Sequence, residues 1–308
     1  MAQQDTSRSS PYTALPPLAL VLLLLMTLGF GCNWPIMKEA LTEVPIWSFR
    51  TFCALTGALG LMTLARLARQ SLHVQRGQWG PLIAMSLCNV TGWNILMVYA
   101  LARMPAGRAA ILAYTMPLWA ILVARWWLGE PLTARRLLGL GLGLGGLAVL
   151  MEGEIAALSA APAGALLMSG GALCWALGTV MMKRWPIGLP TLALTGWQML
   201  IGAVPMLLGA LVLDAGRWQL PTLWPALAVL YNIVVVFIFC YWAWFKIVML
   251  VPVAVSSLST LLIPVVGVLG GAALLGERPG WQDIAALVLV LAALTTVLLP
   301  QGAGKPRP

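Results

Sequence analysis

Ten apolar runs, most of them about the length of a membrane-crossing helix, follow one another along this chain with almost no polar sequence between them. Roughly 20 residues of helix cross about 30 Å of hydrocarbon. By that ruler the spans are Pro17–Lys38, Ile46–Leu67, Trp79–Leu101, Ala106–Leu128, Ala134–Met151, Ala163–Lys183, Thr191–Leu213, Thr222–Lys246, Pro252–Leu275 and Trp281–Leu299. Hydrophobic residues make up 61% of the chain and charged ones 9%, against about a quarter charged in a soluble domain. No water-soluble core of this size hides so much apolar surface, so the solvent is lipid. The expected fold is an all-α membrane protein of ten transmembrane helices. Only Arg66 to Gln78 and Glu152 to Pro162 leave loops of any length, too little for a separate soluble domain.

The chain also copies itself. Pro105, Pro117 and Leu128-Gly129-Glu130 recur 147 residues later as Pro252, Pro264 and Leu275-Gly276-Glu277. A glycine-rich apolar run follows the first copy, and an alanine- and valine-rich run the second. The division is expected at 1–151, with a polar tail over 1–16, and 152–308, with a short C-terminal tail. Five spans per half turn the second half upside down, the inverted-repeat arrangement of many secondary transporters. Glu130 and Glu277 then lie at opposite membrane faces, too far apart to share a site. With their glycines they read as structural corners, capping the next helix or pairing with a nearby arginine.

The formal charge of +9 does not make a nucleic-acid surface, because the 18 Lys and Arg are scattered between apolar runs. They report topology instead. With both termini in the cytoplasm, twelve fall inside, and Lys38, Arg50, Arg103, Arg108, Arg217 and Arg278 fall outside. The polar start, Met1–Ser10, leads into apolar sequence without a cleavage pattern and is expected to be retained. Trp79, Trp126, Trp127, Trp218, Trp224 and Trp281 sit near span ends, where indoles anchor in the headgroup layer. Cys32, Cys53, Cys88, Cys174 and Cys240 lie within apolar runs without CxxC spacing and read as small apolar fillers. His73 lies in a basic loop. There is no phosphate-binding loop, nucleophile elbow or cluster of metal ligands, so neither an enzyme nor a bound cofactor is expected.

Ten spans in two halves, each with a proline in its fourth span followed by Leu-Gly-Glu, resemble the drug/metabolite transporter superfamily, EamA type. The stretch from Tyr99 through Arg103, Pro105 and Gly107 to Ala110 is similar to that family's junction between spans three and four. Gly31-Cys32-Asn33-Trp34-Pro35 and Phe49-Arg50 resemble its spans one and two. Within the superfamily the chain is most like the YddG-type exporters of aromatic amino acids. The resemblance implies export of aromatic and other neutral amino acids, such as threonine and methionine, across an inner membrane. It also implies a central cavity and alternating access between the halves. A broad drug or metabolite exporter, proton-coupled or not, and a membrane receptor are the alternatives. Beyond substrate and lipid no partner is indicated, and monomer and homodimer are both open.

An amino acid zwitterion needs donors for its carboxylate, acceptors for its ammonium and an apolar wall for its side chain. Polar and aromatic groups at membrane depth are therefore the candidates. Span three offers Asn89, Trp93, Asn94 and Tyr99, with Asn89 and Trp93 four apart on one helical face. Interhelical hydrogen bonding is the competing role for the two asparagines. Asn33 and Trp34 precede Pro35, whose ring frees a carbonyl one turn back, so they read as a gate or cavity wall, or as a packed kink. Trp175 lies far from either headgroup belt, so it is either core or a flat wall for an aromatic substrate. Tyr114, Tyr241 and Trp244 pose the same choice, with packing favoured for each. Ser256, Ser257 and Thr260 offer hydroxyls in span nine, where close helix packing is the stronger reading. The alternating glycines from Gly139 to Gly146 read as a close helix contact. All nine acidic residues map to loops or span ends, which favours facilitated export over proton or sodium coupling. Arg50 and Lys246 are the deepest cations. Each either draws a substrate carboxylate or snorkels to the interface.

Overall fold

The computed structural model describes residues 17–101, 103, 112–150, 162–263, 266 and 280–298. The helices are α1 (Pro17–Ala40), α2 (Ile46–Leu67), α3 (Trp79–Ser86), α4 (Trp93–Leu101), α5 (Met116–Leu128), α6 (Ala134–Leu150), α7 (Pro162–Arg184), α8 (Thr191–Leu213), α9 (Leu223–Tyr231), α10 (Tyr241–Leu250), α11 (Val253–Ser259) and α12 (Trp281–Leu298). No strand occurs among the described residues. Five helical stretches are long and apolar enough to cross a membrane, and α1, α5 and α12 carry shorter apolar segments. Large aliphatic side chains stay uncovered around the outside, among them Leu59 (60% exposed), Leu166 (74%) and Leu208 (61%). Water would penalise that belt and lipid would not. The protein is an all-α membrane protein.

Helices related by the 147-residue offset pack against each other. Helix α2 lies along α8, and α6 lies along α12. Both pairs run antiparallel: Gly209 of α8 meets Trp47 at the start of α2, whereas Gly196 meets Ala58 and Met62 near its end. Gly146 of α6 abuts Ala286 and Leu289 near the start of α12, while Arg135 donates to the Thr295 carbonyl near its end (3.3 Å). Equivalent helices pointing in opposite directions are what an inverted repeat requires. Of the glycines in α6, Gly143 and Gly146 make the expected close contact, the former against Leu261 and Ala293.

Spans three and eight depart from a regular helix. Leu87–Gly92, between α3 and α4, and Asn232–Cys240, between α9 and α10, are wound as π-helix. Shifted by 147, the first falls inside the second. A π turn carries i→i+5 hydrogen bonds, so the face that leaves it is rotated from the face that enters.

Span four departs too. A break at Tyr114–Thr115 precedes α5, and Pro117 lies in the first turn of that helix rather than in the interior of an unbroken span. Proline is tolerated there because its missing N–H would have no intrahelical acceptor. Span nine breaks likewise after α11, at Thr260–Leu261, just before the second repeated proline. The carbonyls freed at the breaks are met by hydroxyls, Thr115 Oγ1 on Leu112 O (2.6 Å) and Thr260 Oγ1 on Ser257 O (2.7 Å). Gly129 ends α5 at φ 70°, a left-handed conformation that glycine adopts without strain. The second corner, Gly276-Glu277, lies outside the described residues, as does 104–111.

Candidate functional site

The broken and rewound segments surround a cavity lined by residues of both halves. Helix α1 contributes Phe30, Asn33 and Met37, α2 contributes Arg50, and α4 contributes Trp93 and Met97. Tyr114 and Thr260 enter from the two breaks, Trp175 from α7, and Tyr241 and Trp244 from α10. Both halves therefore build it. Each π turn delivers an aromatic residue to the wall, Trp93 directly after the first and Tyr241 directly after the second.

Trp175 is the hub of that wall. Its ring centroid lies 5.4 Å from Trp93, 5.5 Å from Tyr241 and 6.0 Å from Trp244. Tyr241 is stacked on Phe237 at 5.3 Å and meets Phe30 edge-on at 6.3 Å. Rings held edge-to-face by one another form a stiff apolar surface. Polar atoms share this wall, since Trp175 Nε1 and Trp244 Nε1 are themselves buried without a hydrogen-bond partner. Asn33 Oδ1 and Arg50 Nε are buried without a hydrogen-bond partner, and no acidic side chain lines the cavity among the described residues.

Seven of the expected site residues thus meet here: Asn33, Trp93, Tyr114, Trp175, Tyr241, Trp244 and Thr260. Five others lie elsewhere. Asn89 is fully buried against α8, donating to Gln198 Oε1 at 2.9 Å, and it fills the space beside Gly178 of α7. Asn94 donates to the Val90 carbonyl (2.7 Å) and stands behind the Tyr241 hydroxyl, one layer from the cavity. Tyr99 is 37% exposed and packs edge-on against Trp47. Ser256 and Ser257 are buried, the former bonded to the Val253 carbonyl within its own helix (3.1 Å). Helix α1 runs through Trp34 and Pro35, whose side chains lie outside the described part.

At the first corner Glu130 does more than hold its own turn. It pairs with Arg136 Nη1 at 3.2 Å, and its other oxygen accepts from the Val253 N–H at 3.2 Å, the start of α11 in the other half. Lys183, at the end of α7, donates to the Val251 carbonyl beside it. The Glu130 contact ties this end of the bundle across the halves, and the Lys183 contact fixes the same entry to α11 within the second half. Glu130→Ala is expected to cost about 1–3 kcal/mol by stranding partly buried donors, read as a lower unfolding temperature in detergent.

Among the cavity residues not marked by the sequence, or left undecided there, are Arg50, Phe30 and the methionines Met37, Met97 and Met116. Arg50 was legible as a deep cation. Nothing in the sequence marked the methionines, which read as ordinary span residues.

Comparison with known proteins agrees with this architecture. The EamA-like transporter family model matches residues 17–151 and again 162–299. The chain is 27% identical over 284 residues to the uncharacterized transporter YvbV of Bacillus subtilis, covering 90% of each. It is 24% identical over 282 residues to the probable amino-acid metabolite efflux pump of Escherichia coli, covering 89% of this chain and 92% of that one. A crystal structure 19% identical in sequence superposes with a TM-score of 0.79 over 90% of this chain and 95% of its own, a likeness of fold. With the model matched in both halves, the chain belongs to the EamA-like transporter family.

Proposed function

We propose that the protein exports neutral amino acids, aromatic ones among them, across an inner membrane by alternating access. The observation that carries this reading is the cavity itself: an aromatic wall centred on Trp175, lined also by the polar side chains of Asn33, Arg50 and Thr260, and built jointly by both halves. That combination suits a molecule with a charged head and an apolar side chain. The name of the Escherichia coli relative, an amino-acid metabolite efflux pump, supports the same substrate class.

In this reading both termini are cytoplasmic, and the units 1–151 and 152–308 rock against each other about the cavity. The contact of Glu130 with the entry to α11 crosses the two units, holds one end shut and must part when that end opens. With no carboxylate among the described cavity residues, the site lacks the usual intramembrane proton relay. Transport is therefore facilitative. Proteoliposomes loaded with unlabelled phenylalanine, methionine or threonine should accumulate the labelled amino acid by exchange, saturably and with no response to an imposed pH or sodium gradient. Exchange no faster than in empty vesicles for all three would reject the amino acid reading. Gradient-driven concentration would reject facilitation.

A further inference from the structure

Arg50 is the one strongly charged group that the described residues place on the cavity, and it is 8% exposed. A snorkelling arginine would bring its guanidinium to the headgroups. This one is held inside. Among the described residues no carboxylate lies within 4.0 Å of it. Its Nη2 donates only to the Met37 thioether, at 3.0 Å, and its Nε has no acceptor. A thioether is a weak acceptor, and although the guanidinium lies over the Phe49 ring at 5.6 Å from its centroid, a buried guanidinium without a charge partner is costly. The other described cations with recorded partners differ: Arg136 has Glu130, Arg217 has Asp214, and Arg103, Arg135 and Lys183 have backbone carbonyls.

A forked donor with unused N–H groups, facing a cavity, is complementary to a planar two-oxygen anion. The remainder of the wall offers an ammonium no charge partner: the Asn33 amide oxygen, the hydroxyls of Tyr114, Tyr241 and Thr260, and aromatic faces, without a carboxylate among the described residues. We infer that Arg50 is the carboxylate anchor of the site, and that recognition rests on the carboxylate and the side chain while the α-ammonium is dispensable. The ligand class is thus an aryl or alkyl carboxylate, of which neutral amino acids are one kind. This deepens the export reading above and rests on the same cavity.

Two measurements separate the two ideas. In proteoliposomes exchanging labelled phenylalanine, 3-phenylpropanoate, which lacks the amine, is expected to compete within about tenfold of phenylalanine. Phenethylamine and phenylalanine methyl ester, which lack the carboxylate, are expected not to compete. Arg50→Gln should cut exchange roughly 10- to 100-fold, the loss expected for charge-assisted hydrogen bonds. The same variant, freed of an unpaired buried charge, should unfold at a temperature no lower than the parent when empty. The second measurement needs no transport: 3-phenylpropanoate should raise the unfolding temperature of the purified protein but not of Arg50→Gln. If phenylalanine does not exchange yet this Arg50-dependent shift appears, the amino acid reading fails and the anchor stands. Competition by phenethylamine as strong as by 3-phenylpropanoate overturns the anchor. So does full exchange by Arg50→Gln, or an equal thermal shift in both proteins.

Discussion

Trp175→Ala is expected to reduce exchange of phenylalanine by tenfold or more while leaving a protein that still inserts and purifies. Three ring contacts converge on this indole, with Trp93, Tyr241 and Trp244, at centroid separations of 5.4 to 6.0 Å. Each such pair contributes about 0.5–1.5 kcal/mol beyond area burial, so truncation loosens the other three rings as well as deleting a face. Large-to-small changes of Trp in a packed core cost about 3–5 kcal/mol. Here the residue borders an existing cavity, which places the stability loss toward the lower end. The loss in transport should depend on the substrate, because a phenyl side chain uses the wall more than a hydroxyethyl one does. Exchange of phenylalanine should fall several times further than exchange of threonine, and Trp175→Phe should recover much of the difference. An equal loss for both substrates would assign Trp175 to packing alone, and wild-type exchange of phenylalanine by Trp175→Ala would move the site elsewhere.

The breaks and π turns explain what the sequence could and could not tell. Apolar run length was enough for a helical membrane protein, and the 147-residue offset matches α2 to α8 and α6 to α12, but that the matched helices pack together is seen only in three dimensions. The repeated prolines were visible as a pattern, but not as helix starts. Pro117 reads naturally as an interior proline until Thr115 is seen bonding back to Leu112 and the helix beginning anew at Met116. The pairing of Asn89 with Trp93 failed for a similar reason. Four residues apart on an α-helix share a face, but the π turn Leu87–Gly92 intervenes. Asn89 is left against Gln198 of α8 while Trp93 faces the cavity. Periodicity arguments assume a constant winding, and an inserted residue breaks them without leaving a compositional mark. Trp175, in a regular helix with no such defect, reaches the cavity wall. Arg50 was legible as a deep cation but not as an unpaired one. Whether a carboxylate reaches it depends on which helices pack together, and that is a three-dimensional fact.

Gly178→Ala is expected to destabilise the protein, although alanine is the better helix former by about 1 kcal/mol. A Cβ on Gly178 would collide with the side-chain amide of Asn89. That amide has no freedom to retreat, since Asn89 and Gln198 are both 0% exposed and joined at 2.9 Å across α7, α8 and the π turn. Gly171 and Cys174 continue the same close seam, the first against the Trp93 carbonyl and the second against Gly92. Small residues at such spacing let helices approach where lipid supplies no hydrophobic drive between them. Pushing Asn89 aside strands two buried amides, at about 1–3 kcal/mol for each unsatisfied group, so the steric term outweighs the helical gain. The variant should show a lower unfolding temperature and more aggregate on size exclusion. The cause can be isolated. Combining Gly178→Ala with Asn89→Ala and Gln198→Leu removes the clash and both amides together, and replacing both partners of a buried hydrogen bond by apolar groups is close to neutral. The triple variant should therefore regain most of the lost stability. If it unfolds as early as Gly178→Ala alone, the constraint lies in the backbone approach of α7 and not in the amide pair.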